Sequence, residues 1–239
     1  MPLSRPASAS ASAPASVAEY ATTAGTALYG GTFNPTHLGH LHVARAVADQ
    51  LGLARINLVL SARPPHRDPV PTPHRWAMLE LACQLDQRLY PDDRELNRAE
   101  PSYTVDTLTL ARRRQPWTPL YWIVGMDSLL TLTSWYRWWR ILQLAHLVVV
   151  RRPGYRVGTA ASWRRLAQRR LWQPPTAAQK ATTVSARPPG LAGRIVLLEQ
   201  AMLDVSGSGI RASVRAGRSP AGVAANVADY INQHSLYQN

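Results

Sequence analysis

The stretch GGTFNPTHLGH, Gly30 to His40, lies between a short apolar run, Thr26–Tyr29, and apolar positions at helical spacing, Leu41, Ala44, Val47, Ala48 and Leu51. The first run reads as a buried strand and the second as a helix that Gly52 closes as a C-terminal cap. The motif therefore occupies a strand-to-helix turn, where unpaired backbone N–H groups and the helix dipole attract anions. Gly30 and Gly31 let the backbone approach a phosphate with no Cβ in the way. His37 and His40 are three residues apart, so once the helix has begun they share a face and both can donate to phosphate oxygens. Two imidazoles beside a helix N-terminus suit charge that builds on a transferring phosphoryl group. Two histidines near a turn also suit capping and solvent exposure; their place between strand and helix favours phosphate. The motif is neither GxGxxG nor GxxxxGK, which argues against a dinucleotide redox fold and a P-loop NTPase.

Outward from this turn, Ile56–Leu60 is a continuous apolar run and reads as a second buried strand. The proline-rich loop Arg63–Pro71 leads to Thr72 and Pro73, an N-cap and first-turn pair for a helix reaching Leu85. A helix beginning near Ser102–Thr104, a strand over Leu120–Val124, a short helix after Asp127 and a strand over Leu147–Val150 follow. Arg194–Leu198 supplies a last strand, with helices after Ser208 and over Ala221–His234. Strands alternating with helices on short connections predict an α/β fold, a doubly wound, Rossmann-like parallel sheet with right-handed crossovers. A single domain over 25–239 is expected. Residues 1–24 are almost entirely Ala, Ser, Pro and Thr, too poor in large apolar groups to repay ordering, so a flexible tail rather than a signal peptide is expected. The arginine- and proline-rich segment 158–190 reads as a partly helical insertion.

With 239 residues, 46% of them apolar, the chain can bury one substantial core in water, and no apolar run approaches the length that crosses a bilayer. Cys83 is the only cysteine, which excludes a disulfide framework and a thiolate metal site and points to a reducing compartment, the cytoplasm. The formal charge of +13 is almost wholly arginine, since Lys180 is the only lysine. Guanidinium groups suit phosphate oxygens, but they also cover solvated faces, so charge does not choose between a nucleotide enzyme and a nucleic-acid binder.

A second phosphate-like segment, VSGSGIR over Val205–Arg211, again places small and hydroxyl residues at a helix opening, with an arginine inside the first turn. Such a turn can hold the outer phosphates of a triphosphate while Arg211 neutralises them. Taken with PPHR (64–67), EPSYTVDTL (100–108), GMDSLL (125–130), SWY (134–136) and RRPGY (151–155), these segments resemble the bacterial nicotinate-nucleotide adenylyltransferases of the HxGH nucleotidyltransferase superfamily. The likeness runs from Leu28 to the C-terminus apart from 158–190.

That resemblance implies roles residue by residue. His37 and His40, with Arg211, would be catalytic contacts to ATP. The ATP site would include Gly30, Gly31, Thr32, Phe33, Ser206, Ser208 and Ile210. His66, Arg67, Thr104, Asp127, Trp135 and Tyr136 would bind the mononucleotide, with Trp135 stacked on the pyridine ring and backbone near Thr104 and Tyr136 receiving its carboxylate. A pyridinium over an indole is a favourable contact, although Trp135 stands among Tyr136, Trp138 and Trp139, and such aromatic clusters also form cores. Arg67 reads equally as a surface charge and Asp127 as a helix N-cap. Two residues depart from the family's pattern: Asn34 replaces the aspartate usual before the motif proline, and Ser208 and Gly209 stand where a threonine and a bulkier apolar residue are commoner.

The activity implied is transfer of the adenylyl group of ATP to nicotinate mononucleotide in NAD biosynthesis, with Mg2+ bridging substrate phosphates and no dedicated metal site in the protein. The expected partners are those two nucleotides, with no specific nucleic acid and no membrane; the sequence sets no oligomeric state. One alternative is adenylyl or cytidylyl transfer to another phosphorylated acceptor, such as phosphopantetheine or glycerol phosphate. Another is a basic nucleic-acid-binding protein using faces such as Arg164–Arg170.

Overall fold

The computed structural model describes residues 25–65, 68–151, 170–172, 188 and 190–238. Its strands are β1 (Thr26–Gly31), β2 (Ile56–Leu60), β3 (Leu89–Asp92), β4 (Leu120–Gly125), β5 (His146–Arg151), β6 (Leu171–Trp172) and β7 (Ile195–Glu199). They pair in the order β3-β2-β1-β4-β5-β7-β6, and every pairing is parallel. The helices are α1 (Leu38–Leu51), α2 (Thr72–Cys83), α3 (Thr104–Arg114), α4 (Met126–Leu130), α5 (Trp138–Leu144), α6 (Gly207–Arg215) and α7 (Ala225–Gln233), with a 3₁₀ turn at Leu132–Ser134.

Alternate residues of each central strand point to opposite faces, and two cores result. Ile56, Leu58, Leu60, Tyr121, Ile123, Val148 and Val150 join Leu41, Val47, Met78, Leu79, Val227 and Ile231 of α1, α2 and α7 on one face. Val59, Leu120, Trp122, Val124, Leu147 and Val149 join Val105, Leu108, Met126, Leu129 and Ile141 of α3, α4 and α5 on the other. Helices on both faces make the sheet doubly wound, as the alternating pattern predicts. Because β1 pairs with β2 on one side and β4 on the other, the chain reverses its direction of travel across the sheet between β1 and β4.

Several element ends differ from the sequence reading. Gly52 does close α1 in the left-handed conformation (φ 59°), its N–H reaching Ala48 O. Thr72, expected as the cap of α2, is its first residue, Pro71 precedes it, and the helix ends at Cys83 rather than Leu85. α6 starts at Gly207 with Ser206 as its cap, and α7 starts at Ala225. Strand β3 (LYPD) and helix α5 (WWRILQL) were not expected, the first because it is four residues long with a proline, the second because its aromatics mask the helical period. The expected tail 1–24 lies outside the described residues, as does 158–190 except for 170–172, 188 and 190. No helix among the described residues is long and apolar enough to cross a membrane.

Candidate active site

A cleft of about 1000 Å³ opens where β1 and β4 end, lined by Tyr29–Phe33 from one strand end and Ile123–Gly125 from the other. This is the switch point of the sheet, where diverging loops leave a crevice beyond the carboxyl ends of the strands.

Beyond β1 the chain turns through Phe33, which adopts a left-handed backbone (φ 48°). That conformation is costly for a bulky residue. It is held by burial of the ring (2% exposed), whose edge meets His40 at 5.0 Å and Tyr29 at 6.1 Å between centroids. The Asn34–Pro35 peptide is cis. His37 then caps α1 in extended geometry, and its backbone N–H donates to His40 Nδ1 at 3.2 Å. With Nδ1 accepting, the neutral His40 ring carries its proton on Nε2 and keeps that atom as a donor. The two imidazoles stack with centroids 3.6 Å apart. Burial lowers the His37 pKa to about 4; burial, and secondarily the neighbouring His37, puts His40 well below the ordinary histidine value. Both rings are therefore neutral at pH 7, so they offer N–H donors rather than charge. Of the amides that open α1, Leu38 N–H is already used, donating to Gly222 O at 2.9 Å.

Positive charge comes from the second segment. Ser206 caps α6 by accepting from Gly209 N–H at 3.1 Å, and its hydroxyl lies 3.3 Å from that of Ser208. One turn on, Arg211 Nη1 donates to Asn34 O at 2.7 Å. A bond across 177 residues thus ties α6 to the first turn, and Gly207 allows the approach, since a Cβ there would lie 3.1 Å from Asn34 O. Thr32, His37, His40, Ser206, Ser208 and Arg211 all line the one cleft.

The same cleft is also lined by Thr104, Asp127 and Trp135. Thr104 opens α3; Asp106 and Thr107 N–H already donate to Tyr103 O at 3.1 and 3.3 Å, so the amides of Thr104 and Val105 are the ones left at the N-terminal pole of the dipole. Asp127 sits in the first turn of α4 but is not its cap, which is Gly125; its carboxylate folds back so that a Cβ on Gly125 would lie 2.6 Å from Oδ1. Trp135 is half-buried against the α3–α5 core and also lines the cleft. Two expected site residues stand apart. Tyr136 is exposed and outside the lining, its ring 4.8 Å from Tyr103 and beneath the Arg137 guanidinium. Ile210 is buried under α6, its N–H bonded to Ser206 O. His66 and Arg67 lie outside the described residues.

The cytidylyltransferase-like family model matches residues 28–213. Two relatives, each named "probable nicotinate-nucleotide adenylyltransferase", come from Aeromonas salmonicida and Laribacter hongkongensis. The first is 42% identical, covering 88% of this chain and 96% of the relative; the second is 41% identical, covering 89% and 94%. The chain belongs to the nicotinate-nucleotide adenylyltransferase family. Among solved structures, the Plasmodium falciparum nicotinic acid mononucleotide adenylyltransferase complexed with NaAD superposes with a TM-score of 0.68 at 15% identity, over 89% of this chain and 97% of that one. At that identity the likeness is one of fold.

Seen as a member of this adenylyltransferase family, the chain accommodates its departure at Asn34: the main-chain oxygen accepts from Arg211 and Oδ1 accepts from Tyr237 Oη at 2.8 Å, so the acceptor an aspartate would supply is retained. At Gly209, a Cβ would lie 3.1 Å from Ser206 Oγ, so the missing side chain leaves room for the cap. The glycines of the first motif have a reason the sequence did not disclose. A Cβ on Gly30 would lie 2.4 Å from the Trp122 ring, and one on Gly31 2.9 Å from the Phe33 ring. Trp122, Glu95 and Asp68 also line the adenylyltransferase cleft and were not anticipated. Trp122 is hidden in an apolar strand run, and Asp68 in a proline-rich loop. Glu95 too carries no mark in the sequence; only the structure shows it buried and accepting a hydrogen bond from Thr107 Oγ1.

Proposed function

We propose that this cleft transfers the adenylyl group of ATP to nicotinate mononucleotide, the step that forms the dinucleotide in NAD biosynthesis. One observation carries the reading: the His37–His40 turn and the Arg211 helix share a single cleft with Thr104, Asp127 and Trp135. Phosphate-directed groups, an indole and a helix N-terminus thus share one lining.

In this reading an ionised oxygen of the mononucleotide phosphate attacks the α-phosphorus of ATP in line. A new P–O bond forms, the bond from Pα to its bridging oxygen breaks, and pyrophosphate leaves with that electron pair. No residue becomes covalently attached, so the protein contributes positioning and charge stabilisation. The Nε2–H of His40 and the imidazole of His37 meet the α- and β-phosphate oxygens as neutral donors, and Ser206, Ser208 and Arg211 hold the outer phosphates. Trp135 stacks on the pyridinium, and the amides that open α3 receive its carboxylate.

When bound, a divalent ion, Mg2+ in this reading, would supply charge neutralisation at the nucleotide phosphates. Magnesium keeps most of its waters and leans on one or two carboxylates, a demand that Asp68 and Asp127 in the cleft lining suit. The lone buried thiol of Cys83 suits the reducing cytoplasm.

The deciding experiment is a coupled assay that compares nicotinate and nicotinamide mononucleotides at equal ATP and follows pyrophosphate release. Preference for the acid is expected. Preference for the amide would remove the carboxylate role of the α3 N-terminus, and turnover only with an unrelated phosphorylated acceptor would remove the reading altogether.

A further inference from the structure

Arg75, in the first turn of α2, is among the most buried side chains of the protein at 1% exposure, and the described residues bring no carboxylate within ion-pair distance of it. A buried cation without a counter-ion is expensive unless every donor is satisfied. Here all five are. Nε donates to Val70 O at 2.9 Å; Nη1 donates to Thr32 O at 3.1 Å and Ser61 O at 2.6 Å; Nη2 donates to Ala62 O and Thr72 Oγ1, both at 2.9 Å.

These acceptors belong to the turn after β1 and to both ends of the connection between β2 and α2, Ser61–Ala62 and Val70–Thr72. Thr32 and Ser61 both line the cleft. Thr32 is followed by the strained Phe33 and by Asn34, whose carbonyl holds Arg211. The guanidinium fork therefore grips the base of the turn on which the phosphate-directed groups are mounted. A lysine could supply the charge but only three donors from one point, not a planar fork.

We propose that Arg75 is a positioning residue for adenylyl transfer: it never meets substrate, but it fixes the Thr32–Asn34 turn so that His37, His40 and Arg211 converge on the ATP phosphates. This rests on the reading of the preceding subsection. Its bare alternative is that Arg75 only holds the fold together, in which case activity falls in step with the folded fraction and turnover per folded molecule is unchanged.

The test is Arg75→Lys in the full chain, with the folded fraction measured by circular dichroism and kcat and KM referred to folded enzyme. Expected is a fall in kcat on the order of 100-fold, the scale for a catalytic geometry displaced by about 1 Å. The KM for ATP should rise more than that for the mononucleotide, because the gripped turn carries the ATP-directed groups. Thr72→Val, which removes one acceptor and is the milder change, should lower kcat about fivefold, the scale of one hydrogen bond. A kcat per folded molecule within threefold of the unmodified protein in Arg75→Lys overturns the proposal. If that variant does not fold, unchanged kcat in Thr72→Val does so instead. If the unmodified protein binds ATP but transfers to neither mononucleotide, the acceptor reading falls, and ATP affinity then decides this one: a tenfold weakening in Arg75→Lys supports it, and equal affinity overturns it.

Discussion

Gly30→Ala tests why the first motif needs its glycines. The added Cβ would lie 2.4 Å from Trp122 Cη2 and Cζ2, and ordinary contact begins near 3.4 Å, so the indole would have to retreat by about 1 Å. It has little room to do so: Trp122 is 4% exposed and packed in the core under α3 and α4. Overpacking of this kind costs roughly 1–3 kcal/mol, and about 2 kcal/mol is expected here because the obstruction is a ring edge rather than backbone. For a domain of this size that corresponds to a Tm lower by about 4–8 °C. The colliding atoms belong to the six-membered ring of the indole, which phenylalanine lacks at that reach, so in a Trp122→Phe background the same substitution should cost less than about 0.5 kcal/mol, a coupling of about 1.5 kcal/mol. Urea unfolding of the four proteins of this cycle measures it directly. An equal penalty in both backgrounds would refute the argument and return Gly30 to the reading from sequence, in which the glycine exists only for phosphate to approach.

His40→Ala should lower turnover on the order of 100-fold with the fold intact, the scale for removing one preorganised donor; steady-state kinetics with near-normal turnover would remove His40 from the reaction. Trp135→Leu should raise the KM for the mononucleotide by about 5- to 30-fold, as expected for losing 1–2 kcal/mol of pyridinium–indole contact, and leave that for ATP unchanged; equal effects on both substrates would make Trp135 a core residue alone. Acid should destabilise the protein through His146, fully buried beside the Tyr121 ring, with Nε2 donating to Gly190 O at 2.9 Å and Nδ1 accepting from Arg194 N–H at 3.2 Å. Burial first, and then the Arg112 and Arg194 charges, lower its pKa from 6.5 to about 4 against a raising effect of the Gly190 bond. The fold thus favours the neutral ring: the stability is complete above pH 6.5 and is lost as pH falls toward 4. Between pH 7 and 4.5 the unmodified protein should lose about 2 kcal/mol more than His146→Gln, in which the buried His37 contributes equally. Parallel pH curves in urea unfolding would show that His146 carries no such effect.

How far the fold was legible follows from where its signals are local. β2, β4, β5 and β7 are mostly apolar runs and β1 holds a shorter one, because a parallel sheet covered on both faces buries most residues of its inner strands. β3 escaped because only Leu89 of its four residues is fully buried, so an edge strand of this length carries no pattern. α5 escaped for the opposite reason: Trp138 and Trp139 are both apolar, yet Trp138 packs inward and Trp139 is exposed, so hydrophobicity does not mark the buried face.

The site divides along the same physical line. A turn between strand and helix announces itself through glycine, proline and cap residues within a few positions, and so His37, His40 and Ser206 could be placed on their turns from sequence. What a side chain does across the molecule has no such local trace. Arg75 reads as one more arginine in a chain rich in them, and nothing nearby in sequence says that its five donors close on two separate connections. Gly30 reads as a phosphate glycine, although Trp122, 92 residues later, already requires it. The same holds for Asn34, whose two oxygens are taken by Arg211 and Tyr237 from the far end of the chain. Phosphate chemistry is thus written in the motifs, while the geometry that would make it effective is set by partners 40 to 200 residues distant, each holding the one short turn between β1 and α1.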